Sequence, residues 1–207
     1  METKKLKVNE IFYSLQGEGF YTGEAAVFVR FSGCNLKCPF CDTDFRASKE
    51  FTEFELVDEV LKVARDCRFL VFTGGEPALQ LTPYLVSLLK NEGFYCAVET
   101  NGTRPLPHNM DWVTVSPKWP FLEPQDGRAE LHISRADEVK LVFDAETSKE
   151  TIEEVYSLVE ADHYYLQPCD TGDAERNRHI VKKCVGFVKQ HPKWSLSLQT
   201  QKIINVR

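Results

Sequence analysis

The stretch "SGCNLKCPFCDTDF", residues 32–45, places Cys34, Cys38 and Cys41 inside eight positions and follows the last with Asp42 and Thr43. Three thiols in one short loop admit three chemistries. A structural zinc site closes with four protein ligands, so it would need Cys67 or a distant histidine as the fourth. A thiol–disulfide pair of Cys38 and Cys41 would sit at the start of a thioredoxin-like βαβ unit and would leave Cys34 without a task. An iron–sulfur cubane held by three thiolates would leave one iron without a protein ligand, a position open to a small molecule.

The residues around this loop set the fold. "AAVFVRFSG" is a β-rich run that ends at Gly33, so the cysteines follow the C-terminal end of a strand. Thr52 and Glu55 have the spacing of a capping box. Leu56, Val57, Val60, Leu61 and Ala64 then recur at helical intervals, which predicts a helix over 53–65. "RFLVF" reads as a buried strand, "TGGEP" as its terminal turn, and Leu81 to Leu89 as a helix closed by Gly93.

The same unit recurs in "YCAVET" with "NGT", "WVTV" with "SPK", "EVKLVF" with a helix over 151–161, and "YYLQ" with "PCDTGD". A helix over 180–189 and a last strand "SLSLQT" complete about six core strands. Strands alternating with helices predict an α/β fold with mostly parallel strands and right-handed crossovers. The units are too few for a complete eight-fold barrel, which leaves a partial (β/α)6-type barrel. Ligands in such folds gather at the C-terminal strand ends, where the polar turn motifs fall.

Composition narrows the function classes. The 207 residues, 43% of them hydrophobic, suffice for one core, and no linker or repeat divides them, so residues 1–207 read as a single domain. A net charge of −6 gives no basic footprint for nucleic acid. "METKKLKVNE" lacks an apolar leader and no apolar run is long enough to span a bilayer, so a cytoplasmic protein with no membrane partner is expected. Seven cysteines, an odd number with only the first three clustered, do not form a secreted disulfide framework, and Cys67, Cys96, Cys169 and Cys184 read as core or loop residues.

The spacing Cys34-x3-Cys38-x2-Cys41 with Phe40 before the last thiol, joined to "TGGEP" at the next strand end, resembles the radical S-adenosylmethionine superfamily. The resemblance implies a 4Fe-4S cluster on the three cysteines, with S-adenosylmethionine chelating the fourth iron. Reductive cleavage then yields a 5'-deoxyadenosyl radical. Gly74 and Gly75 would let the backbone approach closely, and Glu76 would offer an acceptor to an ammonium. Taken alone, "TGGEP" is an ordinary strand-to-helix turn with Pro77 at the helix start.

Within the superfamily, "SLQGEG", "FVRFSGCN", "CDT", "TGGEP", "ETNGT", "SPK", "LQP" and "LQTQK" resemble the 7-carboxy-7-deazaguanine synthase family along nearly the whole chain. That family contracts 6-carboxy-5,6,7,8-tetrahydropterin to 7-carboxy-7-deazaguanine with loss of ammonia, on the route to queuosine. The resemblance implies a substrate-binding N-terminal segment with Leu15, Gln16, Gly17 and Glu18, joined by Arg30, Thr100 and the terminal carboxylate of Arg207. It places S-adenosylmethionine against Phe40, Cys41, Asp42, Gly74, Gly75, Glu76 and Gly102. Ser116, Pro117, Lys118, Gln167, Pro168, Cys169 and Asp170 match cofactor positions at later strand ends. Mg2+ would meet Thr43, and the partners implied are a one-electron donor such as a flavodoxin and a second subunit in a homodimer.

Residue chemistry suits a flat polar pterin: amides for the ring edge, a cation for the carboxylate, and Glu18 to accept from ring N–H groups. Gln16 and Glu18 taken singly would be solvated loop residues, and Arg30, which interrupts an apolar strand, must be paired if only to form a structural salt bridge. One departure stands out: many relatives read Gln-Thr-His-Lys where this chain has Gln199, Thr200, Gln201 and Lys202. An amide in place of imidazole cannot exchange a proton near neutral pH. Two other readings remain: an activase that makes a glycyl radical on a partner protein, and a zinc-stabilised binding module.

Overall fold

The computed structural model describes residues 5–44, 47–118 and 130–206. The chain begins with β1 (Leu6–Leu15), β2 (Ala25–Phe31) and a short β3 (Lys49–Phe51), followed by α1 (Glu53–Ala64) and β4 (Phe69–Gly74). Next come α2 (Pro83–Asn91), β5 (Tyr95–Thr100), β6 (Trp112–Val115), β7 (Arg135–Phe143) and α3 (Lys149–Leu158). The last elements are β8 (Glu160–Pro168), α4 (Ala174–Gln190), β9 (Ser195–Leu196) and a single turn, α5 (Thr200–Ile203).

The strands form one sheet in the order β3-β1-β2-β4-β5-β6-β7-β8-β9. From β2 to β9 every pairing is parallel, while β1 joins β2 and β3 antiparallel. This is the expected α/β architecture, a partial barrel with mostly parallel strands. The predicted β2, β4, β5, β6 and β7 are present, and α1 carries the expected box: the Thr52 hydroxyl accepts from the Glu55 N–H, and the Glu55 carboxylate accepts from the Thr52 N–H.

Other boundaries differ from expectation. Residues Leu6–Leu15 form the ten-residue β1, unread in the sequence because a register shift between Val8 and Glu10 breaks the alternation. The helix expected over 151–161 runs from Lys149 to Leu158 instead, capped by the Ser148 hydroxyl, and Glu160 already belongs to β8. α4 starts six residues before the expected 180, where Asp173 accepts from the N–H groups of Glu175 and Arg176. "SLSLQT" forms a strand only at Ser195 and Leu196, and the Ser197 N–H still donates to the Leu166 carbonyl of β8 (2.9 Å) before the chain turns into α5.

The apolar side chains divide among three cores. Outside the sheet, Val27, Val29, Phe31, Leu70, Phe72, Cys96 and Val98 pack under Leu56, Val60, Leu85 and Leu89 of α1 and α2. Val139, Leu141 and Leu166 pack under Ile152 and Val155 of α3 and under Ile180 and Cys184 of α4. The alternate residues of the same strands face the barrel interior. There Phe12, Ala26, Phe28, Val71 and Ala97 make a smaller apolar floor, backed by Phe69 and Trp112. Above that floor the inward positions turn polar, with Thr73, Glu99, Lys140 and Gln167 lining a cavity of about 1140 Å³. Among the described residues, no helix is long and apolar enough to cross a membrane.

Candidate active site

The cysteine loop is fixed at its root by the turn after β4. The N–H of Gly75 donates to the Phe31 carbonyl (3.0 Å) and that of Glu76 to the Gly33 carbonyl (2.9 Å). A methyl group on Gly74 would collide with the Phe31 backbone and one on Gly75 with the Gly33 carbonyl. The close approach that requires both glycines is therefore first an approach to the cysteine loop itself. Further along, Asn35 donates to the Thr103 hydroxyl (2.8 Å) and accepts from the Asn101 amide (3.1 Å), so the loop after β5 grips it from the other side.

Cys34, Cys38 and Cys41 all line the cavity, Cys34 and Cys38 half-buried against Leu36 and Cys41 exposed. Burial pushes the Cys34 thiol up to about 11, with Glu76, Cys38 and Cys41 adding to the rise. Burial also raises Cys38, opposed by the Lys118 ammonium. Desolvated, mutually repelling thiols become thiolates only when a cationic centre compensates them, which is the donor chemistry a cluster requires. Among the described residues no three Cys, His, Asp or Glu side chains converge on a single metal ion. A cubane makes no such demand, because each thiolate takes a different iron.

Among the described residues, neither Cys67 nor a histidine comes to the three thiols as the fourth ligand of a zinc site. No histidine is among the described residues lining the cavity, and Cys67 is turned away, its Sγ near the carbonyls of Ala25 and Phe69. Cys169 does line the cavity, and its charged neighbours are Asp144, Asp170, Arg176 and Asp42.

Of the other residues singled out in the sequence, the structure brings Leu15, Gln16, Gly17, Glu18, Arg30, Phe40, Asp42, Thr43, Gly74, Gly75, Thr100, Ser116, Lys118, Gln167, Pro168 and Asp170 to the same cavity. Arg30 stands opposite Glu10 on β1, its Nε 2.8 Å from that carboxylate and its guanidinium over the Phe12 ring. It is held flat against one wall. Lys118 donates to the Ser116 hydroxyl (2.5 Å), and burial lowers its pKa despite the nearby Cys38.

Three residues fall elsewhere. Glu76 is wholly buried behind the wall. It accepts from the Thr100 hydroxyl (2.7 Å) and from the N–H groups of Asn101 (2.8 Å) and Ala78 (3.0 Å). Burial raises its pKa even against these bonds. The acceptor expected for a ligand ammonium is thus spent on joining the β4 and β5 loops. Gly102 (φ +80) has its open side under Leu131 and Val115, and Pro117 is buried off the cavity. Arg207 lies outside the described residues.

The least expected feature is an ionic cluster in the polar layer. Lys140 donates to Glu18 (2.5 Å) and Glu99 (3.3 Å), with its side chain only 6% exposed. Glu18 also accepts from the amides of Gln199 (3.0 Å) and Gln201 (3.1 Å). Burial would raise the Glu18 pKa, but Lys140 and these amides outweigh it and hold it at about 2. Both oxygens of Glu18 are therefore engaged, so the acceptor expected for a ring N–H already has protein donors. Nearby Glu138 accepts from the Phe20 N–H (2.8 Å), and burial, opposed by Lys140, lifts it to about 7.

The C-terminal segment closes the open side of the barrel. Thr200 donates through N–H (3.0 Å) and hydroxyl (2.8 Å) to the Gly17 carbonyl, and Gly19 donates to the Ser197 hydroxyl (3.0 Å). A Cβ on Gly17 would run into the Gln201 side-chain amide and would lie 2.9 Å from the Gln201 backbone nitrogen. Gln201 thus replaces an imidazole with a packed amide that donates to Glu18. Sequence reasoning missed Lys140 and Glu99; Glu99 is a charge inside an apolar strand, the signal that marked Arg30, whereas Lys140 follows Arg135, Asp137 and Glu138 in a charged strand and does not stand out.

Comparisons with known proteins agree with this architecture. The model of the Radical SAM superfamily matches residues 28–153. The 7-carboxy-7-deazaguanine synthase of Bacteroides thetaiotaomicron is 46% identical over 97% of this chain and 98% of its own length. That of Bordetella pertussis is 40% identical over 96% and 98%. Among solved structures, QueE from Escherichia coli superposes with a TM-score of 0.74 at 27% identity, covering 95% of this chain and 94% of that one. The chain belongs to the radical SAM superfamily and, within it, to the 7-carboxy-7-deazaguanine synthase family.

Proposed function

We propose that this chain converts 6-carboxy-5,6,7,8-tetrahydropterin to 7-carboxy-7-deazaguanine, releasing ammonia, on the route to queuosine. The observation that carries the reading is one cavity with three thiols on its rim and a layer of amides and paired charges below them. When bound there, a 4Fe-4S cluster and S-adenosylmethionine supply a 5'-deoxyadenosyl radical, the hydrogen-abstracting species of the superfamily.

The protein's own residues position and shield. Cys34, Cys38 and Cys41 hold the cluster, and the turn after β4 keeps their loop in register with the cavity. The methionyl end of the cofactor lies along Phe40, Asp42, Gly74 and Gly75, with the later strand ends at Ser116, Lys118, Gln167, Pro168, Cys169 and Asp170 completing its cradle. Backbone and amide groups of Leu15, Gln16 and Gly17 take the pterin ring edge, Thr100 touches the ring, and the Arg30 guanidinium, with donors beyond its bond to Glu10, takes the carboxylate. Thr43 contributes an oxygen to Mg2+, which borrows others from substrate and water. Phe12 and Phe28 exclude water beneath the ring. The whole chain acts as one domain, as a homodimer in the cytoplasm, and a flavodoxin-type donor delivers its electron near the exposed Cys41.

The test is anaerobic turnover of 6-carboxytetrahydropterin with S-adenosylmethionine, Mg2+ and reductant, followed by identification of the deazaguanine. Product from the wild type and none from Cys38→Ala, with iron lost from the variant, is the expected result. A fully loaded wild-type cluster that cleaves S-adenosylmethionine yet leaves the pterin unchanged would overturn the substrate and leave the superfamily chemistry standing.

A further inference from the structure

Glu99 occupies an inward position near the end of β5, between Gln16 of the N-terminal segment and Thr73 at the end of β4. Its Oε1 accepts from the Gln16 amide (2.9 Å) and from Lys140 (3.3 Å). Among the described residues its Oε2 takes only the Thr73 hydroxyl, at 3.5 Å, the long limit of a hydrogen bond. A carboxylate offers about four acceptor positions, and the protein fills three of those on Glu99. The position left over is on Oε2, and the side chain keeps 24% of its surface open to the cavity.

Glu18 stands in contrast. Its oxygens are taken by Lys140 on one side and by Gln199 and Gln201 on the other, with 14% of the side chain exposed. One lysine thus serves two carboxylates, each of which accepts three protein hydrogen bonds; Glu99 differs in that its Oε2 holds a single long bond to a hydroxyl and its side chain is the more open to the cavity. A carboxylate held in place by a buried cation and an amide is a preorganised acceptor, and a charge-assisted bond to it is about twice as strong as a neutral one.

We infer that Glu99 is a substrate-binding residue whose Oε2 accepts an N–H of the exocyclic 2-amino group of the pterin, and that Lys140 is the positioning residue that holds this carboxylate in place. The inference rests on the proposed function, since it names a group of that substrate. It assigns to β5 the ring-amine recognition that the sequence had placed on Glu18.

The experiment compares two substrates on anaerobically reconstituted enzyme: 6-carboxytetrahydropterin and its analogue carrying oxygen in place of the 2-amino group. The wild type is expected to favour the amine in kcat/KM by roughly 10- to 100-fold, the worth of one bond to a charged acceptor. Glu99→Leu is expected to lose that preference, chiefly through KM, while iron content and S-adenosylmethionine binding stay at wild-type levels. Should Glu99→Leu not fold, Glu99→Gln reads the same preference at constant shape, expected at an intermediate value. An equal loss on both substrates, or an undiminished preference, overturns the inference while the turnover itself upholds the function. A wild type inert toward the pterin overturns the function, and this assignment with it.

Discussion

Two lysines in this molecule each bridge two carboxylates, and they do opposite work. Lys140 lies in the barrel with 6% of its side chain exposed, between Glu18 and Glu99. Lys202 lies at the mouth of the cavity with 39% exposed, between Asp42 (2.6 Å) and Asp170 (3.0 Å). Their contact distances are similar, so the difference is one of medium. In the low-dielectric interior each charge has been taken out of water and depends wholly on its partners, whereas at the rim water and salt share the burden. The inner cluster therefore holds a fixed polar geometry, and the outer one merely tethers a terminal segment.

The largest effect should come from unpairing the inner cluster. Lys140→Met leaves Glu18 and Glu99 facing each other without a cation, and breaking such a buried pair costs about 3–5 kcal/mol. Urea unfolding should show the midpoint falling with an unchanged m-value. Adding Glu18→Gln to the same chain removes one stranded charge and should recover part of the loss, a non-additivity expected of residues in one network. A Lys140→Met variant as stable as the wild type would erase the distinction between the two lysines.

Next in size is a pH effect from Glu138, which sees the same ammonium. Burial lifts its pKa from 4.5 to about 7 in the folded protein, so the native state binds the proton more tightly than the unfolded chain. The sign follows: this group costs nothing below pH 4.5, becomes progressively destabilising as pH rises to about 7, and levels off above that. Glu138→Gln keeps an acceptor for the Phe20 N–H without the ionisation. Its stability relative to wild type should rise between about pH 5 and about pH 8, by up to about 3 kcal/mol. A difference that is flat in pH would mean that Lys140 keeps Glu138 ionised throughout.

The inner cluster also marks where the sequence stopped being legible. The cysteine loop and "TGGEP" were readable because their chemistry depends on short fixed spacings. So were α1 and the parallel strands, through caps and periodicity. Lys140 in "EVKLVF" meets Glu18 across 122 positions and Glu99 of "YCAVET" across 41, and no local pattern encodes such a meeting. The protein partners of Glu76 were hidden for a related reason. Its motif fixes the turn, but only the packed β5 loop decides which donors its carboxylate meets. β9 shows the converse: "SLSLQT" alternates like a strand, yet the chain turns into α5 after Ser197, whose N–H still donates to Leu166 of β8 and whose hydroxyl accepts from Gly19 and donates to Gln167 (3.0 Å).

The smallest effect belongs to the rim. The Gly172 N–H, Lys202 and Asn177 together hold Asp170 at about 2, so the contribution of this carboxylate is fully present above pH 3.8 and is lost as pH falls from there through about 2. Because both side chains remain well hydrated, Lys202→Met should cost at most about 1 kcal/mol, and less as added salt screens the pair. What the variant should change is the mobility of the segment from Gln199 onward, since Lys202 also accepts no bond but donates to Gln199 (2.9 Å) and spans 160 positions to reach Asp42 beside Cys41. Hydrogen exchange at α5 should rise while the amides of β7 and β8 stay protected. If protection were lost at β7 as well, the two clusters would be one network joined through Gln199 and Glu18, and the contrast between an inner scaffold and an outer tether would collapse.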